Sequence, residues 1–521
     1  MSKCSFFTTL TCSCMCMISL GALADDVPRV GNYSFPTSTE NAAAQEQFML
    51  GVGYLHSFGF TQAQEAFRRA QELEPDFAMA YWGEVFTYQH PFFDPVSEGP
   101  AAALERLAPT PELRLAKAPN DKEKGFLKAA EAYATAPGGM SDRRIAWNKA
   151  MEDVYEQYPN DDEVVAFYTV STLAAATASG DMRQRMNMKA GALALELFKR
   201  NDAHPGAAHY VIHAFDDPIH APIALEAALK YRDIAPAVSH ARHMPSHIFI
   251  QHGMWDYVVE WNDSAFLAAR ELWKPGDRVG DQNHSSDWGQ YGDLQRGNIE
   301  GSLEWISRAE QTLAENPDDS RSAETVKIMK ARHTIETGDW QLVDLNDDLS
   351  DYQLLALGMS AANLGELDLA DRVAERLGQL ASDSPDDANL QIIFAQISAL
   401  AKTKRNGSAA ADEVAAMLAG AIARKEAGRL PNGAARPLKP IHELAGEIHL
   451  ELGNATDAAE LFETSLLRLP NRPLSLLGAA RAYDILGDEA KAQSKYQDLL
   501  MILSDDSNSS VQEARQFVAI N

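Results

Sequence analysis

Two pairs of histidines recur in this chain at an interval of 34 residues. His209 and His213 form the first pair, and His243 and His247 follow them position for position. A spacing of four residues places two side chains on one face of an α-helix. A 34-residue period is typical of a helix–turn–helix unit that stacks on its neighbours, because one unit alone cannot bury its apolar face. The spacing therefore predicts that both pairs occupy equivalent places on adjacent helices.

The same period orders other parts of the chain. Counted from Ala44, the first unit has Gly51 and Ala63 where two helices must approach closely, and Pro75 where the second helix must end. Glycines recur at the turns expected in later units, at Gly253, Gly297, Gly365, Gly453 and Gly487. No long alternation of β-branched residues is present. The sequence therefore predicts an all-α protein, an α-solenoid of helical hairpins with irregular insertions.

These units resemble tetratricopeptide repeats (TPR). More narrowly, the chain resembles a group of exported bacterial repeat proteins that has no settled activity. The motifs behind the narrower resemblance are AMAYWG, HPGAAHYVIHAFDDP (204–218), HARHMPSHIF (240–249), HSSDWGQY (284–291) and HELAGEIHLELG (442–453). The resemblance implies stacked hairpins around a concave groove, and it implies no particular reaction.

Composition and helix-breaking residues divide the chain into predicted segments. They are a signal peptide at 1–24, a polar leader at 25–43, a solenoid at 44–402 with an insertion at about 91–145 and histidine-rich repeats at 204–297, a flexible connection at 403–413, a C-terminal repeat segment at 414–506 and a polar tail at 507–521. The insertion is expected to contain one or two helices. The connection, TKRNGSAAADE, could divide the solenoid into two parts.

The first 24 residues have the features of a secretory signal peptide: Lys3, a short apolar run and Ala22-Leu23-Ala24 as a cleavage site. A membrane anchor is the weaker alternative, because Ser and Thr interrupt a run that is already short for a bilayer span. The mature protein is therefore predicted to be periplasmic or secreted, without a stable membrane span. All four cysteines lie in this segment, so the predicted mature chain has neither a thiolate ligand nor a disulfide.

The charge excludes one large class of partner. The formal net charge is −28 at pH 7, and no basic stripe with interleaved aromatic residues occurs, so no nucleic-acid partner is expected. The chain also lacks the G-x-S-x-G, P-loop and HExxH signatures.

Histidine is concentrated in the middle of the chain, where nine of the fourteen lie between His204 and Tyr291. Since an α-helix turns by about 100° per residue, repeat positions 2, 5 and 9 lie opposite the packing face. In a tetratricopeptide fold that side lines the concave groove. The residues expected to converge there are His209, His213, His240, His243, His247, His284, Asp287 and Tyr291.

Imidazole is a common ligand of copper, zinc and iron, and a pair four residues apart directs two nitrogens to one point. We therefore predict a transition-metal centre. Its predicted primary ligands are His209, His213, His243 and His247, with His240, His284 and Asp287 as further ligands or outer partners. This set exceeds one tetrahedral shell, so a dinuclear centre, or one ion with outer partners, would use it. A hydrogen-bonded lining or a ligand groove is the alternative, and Pro245 is expected to kink or restart its helix.

Three functions remain open at this point. The first is a metal-dependent oxidase or hydrolase in which Asp216, Tyr210 and Tyr291 act as acid–base or orienting groups. The second is a scaffold that binds a protein or peptide in the concave groove, and the third is a periplasmic metal-binding protein without catalysis. His56 and His90, also 34 residues apart, are predicted to line the groove rather than to bind a second metal.

Overall fold

The structure is a computed structural model that describes Met1 and residues 28–88, 90–181 and 184–520. The predicted signal peptide and all four cysteines lie almost wholly outside these residues. Within them the regular structure is entirely helical, which confirms the predicted fold class. No helix in the described part of the chain is both long and apolar enough to cross a bilayer.

The helices follow one another along the chain in three stretches. The first stretch contains α1 (Ala42–His56), α2 (Phe60–Leu73), α3 (Ala78–Val85), α4 (Gly99–Leu107), α5 (Pro111–Leu115), α6 (Asp121–Thr135), α7 (Met140–Gln157), α8 (Asp162–Ala178) and α9 (Arg185–Arg200). The second contains α10 (Pro205–Ala214), α11 (Ala221–Ile234), α12 (Ser239–His243), α13 (Ser246–His252), α14 (Trp255–Leu272), α15 (Gly280–Gln295) and α16 (Ile299–Glu315). The third contains α17 (Ser320–Thr337), α18 (Asp351–Leu364), α19 (Leu367–Asp383), α20 (Ala388–Asn406), a 3-10 helix (Gly407–Ala410), α21 (Ala411–Glu426), α22 (Ile441–Glu451), α23 (Ala455–Arg468), α24 (Pro473–Ile485), α25 (Glu489–Ile502) and α26 (Ser509–Ile520).

Small residues set the distance between the helices of a hairpin. Phe67 of α2 lies against Gly51 of α1 and Gly83 of α3, and a Cβ added to either glycine would collide with its ring. Ala63 is fully buried beside them. Alternate helices of successive hairpins then stack on one another, as α18, α20, α22 and α24 do, which produces a TPR-like α-solenoid.

The turns of the hairpins need a left-handed backbone, which glycine adopts without the clash that a Cβ would cause. Gly253, Gly297 and Gly453 have φ values of 66°, 78° and 83°. The predicted turn glycines therefore lie where the repeat requires them. In the first hairpin a residue other than glycine, Phe58, has a left-handed backbone, with a φ of 55°.

The predicted polar leader is part of the core rather than a free segment. Phe35 is buried, and the backbone N–H of Asn32 donates to Ala203 while that of Ala237 donates to Arg29. The buried side chain of Phe35 gives this stretch an apolar anchor. The segment thereby ties α1 to the histidine-rich repeats.

The predicted insertion at 91–145 is more regular than expected. It contains α4, α5 and α6 and the start of α7, and α6 packs against α7 as another hairpin. Asn120 caps α6 by accepting from the backbone N–H of Glu123, and Phe126 and Ala130 give that helix a buried face. A cap followed by an apolar stripe outweighs the prolines that precede it.

The predicted flexible connection at 403–413 is wrong, because this stretch is helical and has buried residues. It consists of the end of α20, the 3-10 helix and the start of α21, with Thr403 and Ala410 buried. The non-helical connection lies later, at 427–440, where AGRLPNGAARPLKP contains the helix-breaking residues. We call residues 427–440 the crossing segment.

The polar tail predicted at 507–521 is also different, because it forms α26. Val511 and Ala514 of this helix are fully buried against Tyr496 of α25. Two apolar residues three positions apart are enough to dock one helical face on the preceding hairpin.

Candidate metal centre

The histidine-rich helices lie side by side in the order predicted by the 34-residue spacing. α10 presents His209 and His213, and α12 ends at His243, just before Pro245. The helix restarts as α13 at Ser246, so the predicted break at the proline is confirmed. The break leaves His243 and His247 with their Nε2 atoms 3.2 Å apart.

Six of the predicted ligands fall into two groups of three. We call His209, His213 and His240 the first triad, and His243, His247 and His284 the second triad; within each, one nitrogen of every ring lies within 4.8 Å of the other two. In each triad, two histidines four residues apart are joined by one histidine from another helix. This division differs from the primary set of four histidines that the sequence predicted.

The first triad is fixed mainly by backbone. His209 is completely buried, and its Nδ1 donates to the carbonyl oxygen of His56 at 2.6 Å. That donation leaves the Nε2 of His209 as an acceptor, and it faces the Nε2 of His213 at 3.0 Å. The buried Nε2 of His240 has no hydrogen-bond partner among the described residues.

Side chains fix the second triad. The Nδ1 of His243 donates to the Oδ1 of Asn262 at 2.7 Å, and this amide is oriented by its own donation to Ser246 and Val258. The Nδ1 of His247 donates to the Oδ2 of Asp216, also at 2.7 Å. Hydrogen bonds of this kind, from the outer nitrogen to a carboxylate or amide, orient the inner nitrogen of a metal-binding histidine.

Burial keeps five of the six triad imidazoles neutral. It lowers the pKa of His209 and of His284 to about 3, and that of His213, His240 and His243 well below its ordinary value; in each case neighbouring histidines add to the effect. Neutral imidazole is the form that binds a metal ion.

The two triads form one pocket. The ring centroids of His240 and His243 are 6.2 Å apart, and those of His213 and His247 are 6.5 Å apart. These separations match the 6.5 Å between His213 and His240 inside the first triad. α12 contributes to both triads, His240 to the first and His243 to the second.

The remaining predicted site residues have other partners. Asp287 forms an ion pair with the buried Arg332 at 2.6 Å, and the hydroxyl of Tyr291 accepts from Arg472 at 3.4 Å. Neither residue belongs to a triad, and each is paired with a buried guanidinium group. Asp216 accepts from His247, as described, and so orients that ring.

Tyr210 belongs to a third group that the sequence reading missed. Its hydroxyl lies 2.9 Å from the Nδ1 of His56, whose Nε2 lies 2.8 Å from Glu163, and all of these side chains are buried. His204 caps α10 by accepting from the N–H of Ala207 at its Nδ1. Its Nε2 must then hold the proton and faces Glu163 at 3.3 Å. No sequence signal pointed to Glu163, because it comes from α8, in another hairpin.

This third group is a buried carboxylate between two imidazole N–H groups rather than a metal site. A metal on the Nε2 of His204 would require that ring to be a fully deprotonated imidazolate, since its Nδ1 already accepts a hydrogen bond. Burial alone would raise the pKa of Glu163, but the electrostatic and hydrogen-bond effects of His56 and His204 lower it to about 2.

Aromatic rings and the crossing segment close the pocket. The ring of Phe58 lies 4.5 Å from that of His209, and the ring of Trp288 lies 4.1 Å from that of His284. The indole N–H of Trp288 donates to Gly433, whose own N–H donates to Asp216. A Cβ on Gly433 would collide with the carbonyl of His247, so only glycine fits there.

Neither a protein-family model nor a curated protein matches the chain. Similar solved structures include the human IFIT1 dimer with PPP-AAAA, at 13% identity over 89% of this chain and 91% of that chain, with a TM-score of 0.35. The P58(IPK) TPR domain is 11% identical over 92% and 99%, with a TM-score of 0.22. The APC/C hetero-tetramer Cut9-Hcn1 is 11% identical over 92% and 90%, with a TM-score of 0.32. Similarity at this level concerns the fold alone, and nothing about function follows from it.

Proposed function

We propose that this protein binds two transition-metal ions, one in each histidine triad. The observation that supports this most directly is the second triad, where both Nδ1 atoms of His243 and His247 donate to oxygen acceptors while their Nε2 atoms face each other at 3.2 Å. Two lone pairs at that distance repel unless a cation lies between them. The cation is either a metal ion or an extra proton on one ring.

A metal fits this arrangement better than a proton. Nitrogen ligands at about 2.0–2.1 Å around a tetrahedral ion lie about 3.3–3.4 Å from one another, close to the distances seen in both triads. A proton is shared by two nitrogens, whereas each triad brings a third, from His240 or His284, to within 4.8 Å of the other two. The third nitrogen can act as a ligand only when the cation is a metal ion.

Three ligands to each metal leave a position open, which is the pattern of a site that binds a further ligand. The predicted oxidase or hydrolase and the predicted metal carrier without catalysis both agree with this arrangement. The roles of the chain's own groups are clearer: Asp216 and Asn262 hold the Nδ1 protons of the second triad, and the carbonyl of His56 holds that of His209.

A peptide-binding scaffold is less well supported than a metal-binding protein. The crossing segment lies across this part of the molecule, where Gly433 contacts both Asp216 and Trp288. The face that was predicted to receive a peptide is therefore covered here by the chain itself.

Export is part of the same proposal. Cleavage after Ala24 would deliver a cysteine-free chain to an extracytoplasmic compartment. Because that chain has no thiolates, its metal ligands would be histidine nitrogens. Mass spectrometry of the protein isolated from its native source should find Asp25 as the first residue; an uncleaved chain would contradict this location.

Elemental analysis of purified protein tests the metal proposal. We expect about two equivalents per chain in the wild type and about one when His209 and His213, or His243 and His247, are both replaced by Ala. His252→Ala and His449→Ala are matched controls, because these rings lie outside the triads, and they should retain both ions. A folded wild-type protein that binds no transition metal would refute the proposal, and so would equal metal loss from a control and from a triad variant.

A further inference from the structure

We infer that the two ions are copper and that their reduced pair binds dioxygen; this rests on the proposed occupation of both triads. The observations are the all-imidazole ligand set, the little negative charge in contact with it, and the aromatic walls of the pocket.

The ligand set favours copper over the metals of carboxylate sites. Both triads offer neutral imidazole nitrogens only, and no carboxylate oxygen belongs to either group among the described residues. Imidazole suits copper in both of its common oxidation states, whereas magnesium, calcium and manganese prefer oxygen ligands. Three neutral nitrogens also make a low-coordinate set that leaves a face of each ion free.

Charge balance favours the monovalent state. Among the described residues, Asp216 is the one carboxylate that accepts a hydrogen bond from a triad ring, that of His247. Asp287 acts on His284 but is paired with Arg332. With so little negative charge in contact with the rings, two Cu(I) ions leave less uncompensated positive charge in a buried pocket than two divalent ions would, and such charge is costly.

The walls of the pocket favour a small uncharged ligand. Phe58 packs on the first triad, Trp288 packs on the second, and Phe92 lies with its ring centroid 5.0 Å from that of His213. A cavity of about 660 Å³ is lined in part by Phe58, His90 and Phe93, and the same Phe58 ring packs on His209 of the first triad. Dioxygen can pass aromatic rings that would exclude a large or charged substrate.

Phe58 is held in place at an energetic cost. Its left-handed backbone, with φ of 55°, is one that a residue with a bulky side chain rarely adopts, and the turns at Gly253, Gly297 and Gly453 use glycine for such a backbone. The strained turn puts the phenyl ring between the cavity and the first triad. Phe58 thereby controls which molecules reach the metal pair.

The step is balanced without any other reactant. Each Cu(I) loses one electron and becomes Cu(II), and dioxygen gains the two electrons and becomes peroxide, which is held between the two ions. No proton is transferred and no bond to carbon is broken. Release of dioxygen reverses the step and returns both ions to Cu(I).

The test loads the full-length chain with Cu(I) under anaerobic conditions, measures copper by elemental analysis, and then measures dioxygen uptake. We expect two coppers per chain, one dioxygen taken up per two coppers, and a new near-ultraviolet charge-transfer absorption that disappears when dioxygen is removed. His252→Ala should behave like the wild type. His284→Ala, with the second triad broken, should bind one copper and lose this uptake, because one Cu(I) supplies only one electron.

The outcomes separate this inference from the proposed function. Two bound coppers without dioxygen uptake would overturn the inference and leave the metal proposal intact. Failure of the folded chain to retain copper, zinc or iron would overturn both. Uptake by His284→Ala at the wild-type ratio of dioxygen to copper would also overturn the inference, since it would require no pair.

Discussion

The first triad is carried by α10 and α12, whereas the second is carried by α12, α13 and α15. Both contain a pair of histidines four residues apart, in the same register of the 34-residue repeat. Their outer hydrogen bonds differ. The first triad relies on the backbone carbonyl of His56, and the second on the carboxylate of Asp216 and the amide of Asn262.

This difference teaches which part of a site a repeat can specify. The register determines which nitrogens meet, because it is set by helix geometry that every hairpin shares. The outer partners come from the loops and helices that happen to lie behind each ring. A carboxylate on the Nδ1 raises the basicity of the metal-binding nitrogen, whereas a carbonyl does so less. We therefore expect the second triad to bind its ion more tightly than the first.

The largest expected effect is the loss of a whole site. In the variant His209→Ala/His213→Ala the remaining ion should be bound tightly, whereas in His243→Ala/His247→Ala it should be bound weakly. Competition with a chelator of known affinity, followed by elemental analysis, measures both. Identical affinity of the two remaining sites would show that the different outer hydrogen bonds of the two triads do not affect metal binding.

Acid should act on both triads alike. An imidazole in the unfolded chain has a pKa of about 6.5, whereas burial lowers that of His209 and that of His284 to about 3. Between these values the unfolded chain of the metal-free protein binds more protons than the folded chain. Its free energy of unfolding should therefore fall as the pH is lowered from about 6.5 towards about 3.

Urea denaturation of the metal-free protein at a series of pH values measures this loss, and hydrogen exchange locates it. Amides in α10 and in α15 should lose protection together. Stability that is constant from pH 7 to pH 4 would contradict the expected burial of neutral histidines.

Asp216→Asn should affect one triad only. The amide removes the negative charge from the outer nitrogen of His247, so the second triad should lose about 10- to 100-fold in metal affinity while the first is unchanged. Asp217→Asn is the matched control, because the neighbouring Asp217 binds His220 and the backbone instead. An equal loss at both triads after Asp216→Asn would show that this carboxylate acts through the general charge of the pocket.

Phe58→Gly should lower the free energy of unfolding only slightly, and it is the smallest effect that we predict. The substitution loses buried aromatic area but relieves the left-handed turn, which costs about 1–3 kcal/mol for a residue other than glycine. The free energy of unfolding should fall by clearly less than the about 3–5 kcal/mol expected for a core substitution such as Phe67→Ala. Chelators should remove metal from the first triad faster and from the second at the wild-type rate; acceleration at both would mean that the pocket has one shared opening.

The sequence predicted the repeats and the meeting of the histidines because both depend on local helix geometry. Gly253 and Gly297 could be placed at turns, and His209, His213, His243 and His247 on one side of the solenoid, without knowing any distant contact. The third member of each triad was harder, because His240 and His243 lie on the same short helix and yet belong to different triads. The helix breaks at Pro245, between His243 and His247, and yet these two rings share a triad.

What could not be predicted depends on contacts between distant parts of the chain. Asp287 and Tyr291 have the right register for the pocket, but they interact with Arg332 and Arg472 instead of joining a triad. Glu163 reaches His56 from a separate hairpin, and no spacing relates the two. The helical stretch at 403–413 was mistaken for a linker because its polar residues outnumber the few, such as Thr403 and Ala410, that are buried.

The contact between Gly433 and Asp216 joins residues that are 217 positions apart in the chain. A chain that is exported as proposed enters its compartment from the N-terminus, so the six histidines arrive there before residue 433. Until then the carboxylate that orients His247 lacks one of its two donors, and the indole of Trp288 lacks its acceptor. The order in which the chain emerges thus sets a time at which the second triad becomes complete, and any ion acquired earlier would be bound at an unfinished site.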